Sequence, residues 1–388
     1  MFTAAVTNVS ITRVIVDNIQ SPISSQKYMQ TLLCFSHLTW NFVYQRPQHL
    51  MSRFAQKYRL FYFEEARQGI ATNYEVIEES GLTIVQLYVN HADGDFTEQC
   101  RRLINRVVND YKIEEYICWY YTPMSFKYTD HLSPTLIVYD CMDELSAFKF
   151  APTELVKFED KLFCAADVVF TGGNTLYLAK KDRHHNIHAF PSSIDKQHFM
   201  QARMPISEPD DQRIIPYPRL GFYGVIDERF DIDLLAEVSR ARSEWQFIII
   251  GPIVKISTED LPRAQNIHYL GSKTYSELPA YVSHWNIALI LFALNESTRF
   301  ISPTKTPEYL AAGLPVLSTA ITDVVDTYGK ADLVYIVEDS ETFISSAEKE
   351  LQKKSKIEWL RRVDKFLADD SWDNTFKAMQ DIIGKIKN

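Results

Sequence analysis

Six short apolar runs, each followed by a longer amphipathic or polar stretch, set the strongest limit on how the first half of this chain folds. "TLLCFS" (31–36), "RLFYFEE" (59–65), "LTIVQLY" (82–88), "EYICWYY" (115–121), "TLIVYDC" (135–141) and "DVVFTG" (167–172) read as buried strands. Between them, "RPQHLMSRFAQKY" (46–58) and "DFTEQCRRLINRVVNDY" (95–111) carry helical periodicity. Strand and helix in alternation predict a parallel sheet with helices on both faces. The pattern pauses at "MPISEPDDQRIIPYPR", rich in proline and charge, and then restarts. "RLGFYGV" (219–225), "WQFIIIGP" (245–252), "NIHYLGS" (266–272), "NIALILF" (286–292), "LPVLST" (314–319) and "LVYIV" (333–337) form the second set.

The expected architecture is therefore α/β, with two Rossmann-like, doubly wound domains facing across a cleft. Its expected bounds are an N-terminal extension at 1–29, a first domain at 30–203 and a linker at 204–218. A second domain follows at 219–370, and the amphipathic "SWDNTFKAMQDIIGKI" within 371–388 is expected to cross back to the first domain. A chain of 388 residues exceeds what one core usually supports, which agrees with two. The net charge of −9 disfavours nucleic acid or an anionic membrane as the main electrostatic partner. Cys34, Cys100, Cys118, Cys141 and Cys164 have no metal-type spacing and read as thiols of a reducing compartment. No apolar run reaches the roughly 18–20 residues of a membrane helix, and the start lacks a signal-peptide pattern. The expectation is a cytoplasmic protein, with peripheral contact at the inner face of the plasma membrane left open.

In open α/β sheets, ligands bind beyond the carboxyl ends of the strands. The segment "SPTKTPEYLAAGLPVLST" (302–319) stands at such an end. Pro307 suits a first helical turn, Glu308 lies in that turn, and Gly313 can terminate the helix. Lys305 beside the N-terminal amides makes an anion site, and Glu308 can accept hydrogen bonds from vicinal hydroxyls, as on a ribose. The same spacing also fits a solvated Lys/Glu pair beside a structural cap.

"PTKTPEYLAAGLPVLST" resembles the donor-binding segment of GT-B glycosyltransferases, especially the family-4-type enzymes. "SHLTWNFVYQRPQHLMSRFA", "VYDCMDELSAF" and "PSSIDKQHF" resemble teichuronic-acid-type and other bacterial cell-surface polysaccharide transferases. "YLGSKTYSELPAYVSHWNIALILF" resembles the run that precedes the donor loop. This resemblance implies transfer of a sugar from a nucleoside-diphosphate donor, UDP in the first instance, to a saccharide or lipid-linked acceptor. It implies no cofactor and no metal. By position, Glu308 would bind the ribose, while Lys305 and the amides around Thr304 and Thr306 would meet the diphosphate. Gly224 would allow close backbone approach, Arg229 would be a second cation, and Lys273 and Tyr275 would hold the base. One departure concerns the glutamate that many retaining members carry eight residues before the ribose glutamate. Here that position is Phe300, with Glu296 four residues earlier.

On the first-domain side, "YDCMDE" sets Asp140, Asp143 and Glu144 just after a strand. Such carboxylates serve as a general base toward an acceptor hydroxyl, hold substrate hydroxyls, or simply cap a helix. His37, Trp40, Gln45 and Arg46 fall on the loop after the first strand and are expected to line the cleft, with Trp40 either stacked on a sugar or in the core. "RHHNIH" (183–188) lacks zinc-type spacing and reads as a solvated loop. Two other functions fit the same architecture: a nucleotide-sugar 2-epimerase and a non-catalytic nucleotide-sugar-binding module. A dinucleotide dehydrogenase does not fit, because no GxGxxG follows a strand.

Overall fold

The computed structural model describes residues 30–387, so the expected extension at 1–29 and Asn388 lie outside the described residues. The first sheet has nine strands: β1 (Thr31–Phe35), β2 (Arg59–Phe63), β3 (Arg67–Gln68), β4 (Asn73–Glu79), β5 (Leu82–Val89), β6 (Tyr116–Tyr120), β7 (Leu136–Cys141), β8 (Val168–Thr171) and β9 (Ile187–Ala189). Their order is β3-β5-β2-β1-β6-β7-β8-β9, with β4 paired antiparallel to β5. The central strand shows why both faces are apolar. Leu32 and Cys34 of β1 pack with Leu50, Phe54 and Trp119, whereas Leu33 and Phe35 pack on the opposite face with Leu103, Ile104 and Leu162. Alternate residues thus face two helical layers.

The β4–β5 hairpin is absent from the expectation of purely parallel strands. Only Tyr74 of "NYEVIEE" is fully buried, so the apolar signal is weak. Its turn is nonetheless well made: Ser80 and Gly81 have φ of 53° and 80°, the paired left-handed residues of a tight two-residue hairpin.

The second sheet is wholly parallel, in the order β12-β11-β10-β13-β14-β15. Its strands are β10 (Arg219–Tyr223), β11 (Gln246–Ile250), β12 (Ile267–Gly271), β13 (Ile287–Ile290), β14 (Val316–Thr319) and β15 (Val334–Val337). The first domain boundary requires correction. Ile194, Phe199 and Ala202 belong to the core of the second sheet, so the chain has already crossed before residue 203. The expected linker at 204–218 also packs as part of that domain. It holds the short helix Asp210–Arg213, in which buried Gln212 accepts from Trp285 Nε1 at 2.8 Å and donates to Tyr281 O at 3.1 Å. Proline and charge mark its exposed face, while one buried glutamine and Ile215 anchor it.

The last helix, Trp372–Lys387, places Trp372, Met379 and Ile383 in the first-domain core beside Leu50 and Phe54. The two crossings touch, since Trp372 N–H donates to Ile194 O at 3.2 Å. The carboxyl ends of the two sheets face one another across a cleft.

Candidate active site

A cavity of about 510 Å³ fills the cleft, lined from the first domain by Phe42, Tyr44 and Asp143 and from the second by Gly224, Lys305 and Glu308. The second-domain wall is built on the helix Lys305–Ala311, which follows the loop after β13. Tyr223 N–H donates to Tyr309 Oη at 2.9 Å, fixing the helix to the end of β10. Lys305 runs back across Gly224, where φ is +141° and a Cβ would collide with the lysine side chain. Its ammonium lies 5.5 Å from the Phe222 ring and 5.6 Å from the Phe292 ring. No ion pair to Lys305 occurs among the described residues, and burial, with Arg229 nearby, pushes its pKa below the usual lysine range.

Glu308 lies three residues on, on the same face of the helix, and is buried. Burial raises its pKa, while the hydroxyl of Tyr223, which donates to Oε2, and the charge of Lys305 oppose that rise. Thr304 precedes the helix and lines the cavity. Thr306 does not: its side chain is fully buried, and its amide, the group expected to meet the diphosphate, donates to Pro303 O at 3.2 Å. Arg229 lines the cavity but is held by Asp227 at 2.6 Å, and its guanidinium sits 5.1 Å from the Phe148 ring of the first domain. Lys273 pairs with Asp211 at 2.6 Å. Tyr275 also reaches the cavity, with one ring centroid contact to His198 at 4.2 Å and another to Tyr44 at 4.6 Å, both stacked. Both of its neighbours occupy ring faces that a base would use.

The first-domain wall departs further from expectation. Asp143 lines the cavity, and among the described residues no hydrogen bond occupies its carboxylate. Burial pushes its pKa up to about 6, against the lowering pull of Arg229, Arg46 and Lys305. Asp140 is not available to substrate. It is fully buried in a two-pronged pair with Arg46, whose Nε and Nη2 reach Oδ1 at 3.1 and 2.8 Å. Arg46 Nη1 also donates to Phe190 O at 2.7 Å, so this guanidinium ties β7 to the first helix, Arg46–Phe54. Glu144 turns away from the cavity to Lys180 at 2.7 Å.

Trp40 touches the cavity but packs edge-on against Tyr62 with centroids 5.0 Å apart, so it is core rather than a free stacking platform. Gln45 lines the cavity and caps the first helix by exchanging hydrogen bonds with Gln48. His37 is not among the lining residues; burial and Lys255 push its pKa down to about 4, and its Nδ1 has no partner. Phe42 and Tyr44, 46% and 40% exposed, went unread in "TWNFVYQ", although an aromatic pair in a loop after a first strand is a usable signal.

The Phe300 departure has a structural counterpart. Phe300 packs against the first-domain core, and Glu296 is exposed beside Arg299 at 3.9 Å, so neither supplies a carboxylate to the cavity. "RHHNIH" is partly a strand, β9, with His184 bonded to Ala166 O and His188 to Asn186. Among the described residues no group of three His, Cys, Asp or Glu is placed to hold a metal ion, and no helix is long and apolar enough to cross a membrane.

Residues 217–353 match the family model for glycosyl transferases group 1. The fold matches sucrose-phosphate synthase of Thermosynechococcus elongatus with a TM-score of 0.69 at 14% identity, covering 92% of this chain and 99% of that one. The chain thus has the GT-B fold and carries a glycosyltransferase group 1 domain in its second half. A Bacillus subtilis (strain 168) protein described as a teichuronic acid biosynthesis glycosyltransferase is 22% identical to it over 298 residues, 70% of this chain and 72% of the relative. A trehalose-6-phosphate protein from E. coli, solved bound with UDP-2-fluoro glucose, superposes on this chain with a TM-score of 0.64 at 10% identity, over 92% and 99% of the two chains.

Proposed function

We propose that this protein is a glycosyltransferase that takes its sugar from a UDP-linked donor and passes it to a hydroxyl of a saccharide or lipid-linked acceptor in bacterial surface-polysaccharide assembly. The observation that carries the reading is one helical turn that brings a half-buried cation, Lys305, and a buried carboxylate, Glu308, to the cavity, with neither in an ion pair among the described residues. Charge left uncompensated in a dry site costs free energy that a complementary ligand recovers. A nucleoside diphosphate supplies both complements: phosphate oxygens for Lys305 and vicinal ribose hydroxyls for Glu308. The relative's role in teichuronic acid biosynthesis and the neighbour's UDP-sugar ligand support the same class of donor and product.

Across the cavity, Asp143 is the carboxylate placed to take the acceptor hydroxyl's proton, or to hold a sugar hydroxyl if the reaction retains configuration. Lys305 and Arg229 face the leaving diphosphate, so its charge is met by protein cations and the reaction needs no metal. Five unpaired cysteines, four of them buried, suit a reducing compartment and support a reaction on the cytoplasmic side.

Titration calorimetry with UDP tests the donor assignment. Glu308→Ala should weaken UDP binding while circular dichroism stays that of the wild type. An unchanged UDP affinity in that variant rejects Glu308 as the ribose ligand.

A further inference from the structure

Asp323 belongs to the second domain, just beyond β14, yet its carboxylate is buried against the first. Oδ2 accepts from Asn174 N–H at 3.0 Å, and Oδ1 accepts from Thr175 N–H at 2.9 Å and from the Thr175 hydroxyl. Those amides open the first-domain helix Asn174–Lys180, whose own N-cap, Gly173, has no side chain to offer them. One domain therefore caps a helix of the other, a task usually done by the residue immediately before the helix.

Gly173 makes this approach possible. Its φ of −164° is open to any residue, but a Cβ there would stand 2.5 Å from Asp323 Oδ2 and 3.0 Å from Ser302 Cβ. The same seam carries a hydrogen bond from Ser192 Oγ to Ser302 O at 2.7 Å and the apolar contact of Phe300 with the first-domain core. At the other end of the helix, Lys180 holds Glu144 at 2.7 Å and Glu159 at 2.8 Å, and Glu144 is the chain neighbour of Asp143. A single short helix thus runs from the domain seam to the loop that bears Asp143.

We propose that Asp323 is a positioning residue: by capping the helix Asn174–Lys180 across the seam, it holds the cleft at the width at which Asp143 meets a donor seated on Lys305 and Glu308. The proposal rests on the functional reading above for what is positioned, whereas the latch itself is a matter of domain geometry. Bound substrates tolerate little misplacement, since an error of about 1 Å costs about 10²-fold in rate.

The experiment breaks the contact from each side, with Asp323→Ala and Gly173→Ala, and measures full-length protein by small-angle X-ray scattering, UDP calorimetry and initial rates. Each variant should enlarge the radius of gyration, keep UDP affinity within about threefold and lower kcat by about 10²-fold. Because both remove one contact, the double variant should fall little further than either single one. Asp323→Asn, which keeps an acceptor oxygen, should recover part of the rate. Unchanged scattering in both single variants overturns the latch, as do additive losses in the double variant. If the scattering opens but the rate holds, the latch does not position catalysis and the proposal fails in that half. Should Asp143 prove dispensable while the scattering still opens, the assignment of the base has failed and the latch stands.

Discussion

On the first-domain side of the cleft, Arg46 meets Asp140 at 2.8 Å, and Lys180 meets Glu144 at 2.7 Å and Glu159 at 2.8 Å, so each cation is matched by carboxylate within its own domain. On the second-domain side, Lys305 is half-buried and Glu308 buried, but neither sits in an ion pair among the described residues. Both arrangements put charge in a poorly hydrated place, and they teach different things. A closed pair with its remaining donors satisfied, as Arg46 is by Phe190 O, joins elements of the fold. An open pair of charges is a cost that the folded protein carries until something binds. By this criterion Asp143 sides with the second-domain wall, although it lies in the first domain, because no hydrogen bond occupies its carboxylate among the described residues.

The comparison breaks most sharply at Asp143. Asp143→Asn should leave UDP affinity near that of the wild type and lower kcat by about 10²–10⁴-fold, the usual share of general acid–base catalysis. The sign of the pH dependence follows from its raised pKa. A base works ionised, so wild-type kcat at saturating donor, where the Glu308 effect on binding drops out, should climb as pH rises toward about 6 and level off above it, and the variant should lack that limb. Normal turnover in Asp143→Asn would place the base elsewhere, or leave a retaining reaction that needs none from the protein. The anomeric configuration of the product, read by NMR, separates those two.

Next in size is the closed pair. Arg46→Met leaves Asp140 buried and unpaired, which should destabilise the fold by about 3–5 kcal/mol in urea unfolding. UDP affinity of the protein that remains folded should hold. A large loss of UDP binding with unchanged stability would move Arg46 from scaffold to site.

The contrast also explains what is legible in the sequence. The second-domain wall depends on neighbours in the chain: Pro307, Glu308 and Gly313 act within one helix, and their spacing alone announces it. The first-domain wall depends on partners remote in sequence. Arg46 and Asp140 are 94 residues apart, and Thr175 and Asp323 are 148 apart, so no local pattern distinguishes a paired acid from an open one. Hence Asp140, Asp143 and Glu144 read alike as cleft acids, though the fold leaves only Asp143 facing the cavity. The amide of Thr306 reads as open to an anion from its place at the helix start, but it turns back to Pro303 O, a bond that the local pattern does not announce. The early crossing at Ile194 and Phe199 is hidden because two buried apolar residues look the same whichever core receives them.

A smaller effect is expected at the open cation. Lys305→Met keeps the stem over Phe222 and Phe292 but removes the charge, and should weaken UDP by about 1.5–3 kcal/mol, the range for hydrogen bonds to charged groups. Uridine without phosphates should bind both proteins equally. Since protein cations are proposed to meet the diphosphate, wild-type turnover should survive EDTA; loss of activity with chelator, restored by Mg²⁺ or Mn²⁺, would overturn that part of the reading.

The smallest expected change tests how Glu308 is kept ready. Burial raises its pKa, and the Tyr223 hydroxyl opposes that rise by donating to the ionised form. An ionised carboxylate is the form that accepts from two ribose hydroxyls. UDP affinity of the wild type should therefore fall as pH drops through the Glu308 pKa. Tyr223→Phe removes the opposing hydrogen bond and leaves the ring in place beside Tyr309 and Phe199. The acid-side loss of UDP affinity should then move to higher pH by about one unit, which corresponds to about 1.4 kcal/mol. Affinity on the alkaline side of that transition should match the wild type, because both proteins present the same carboxylate there. If the transition stayed where it was, the Tyr223 hydroxyl would not be what holds Glu308 ionised. If affinity fell equally at every pH, Tyr223 would be a ligand contact in its own right, and Glu308 would no longer be the group that the pH profile reports.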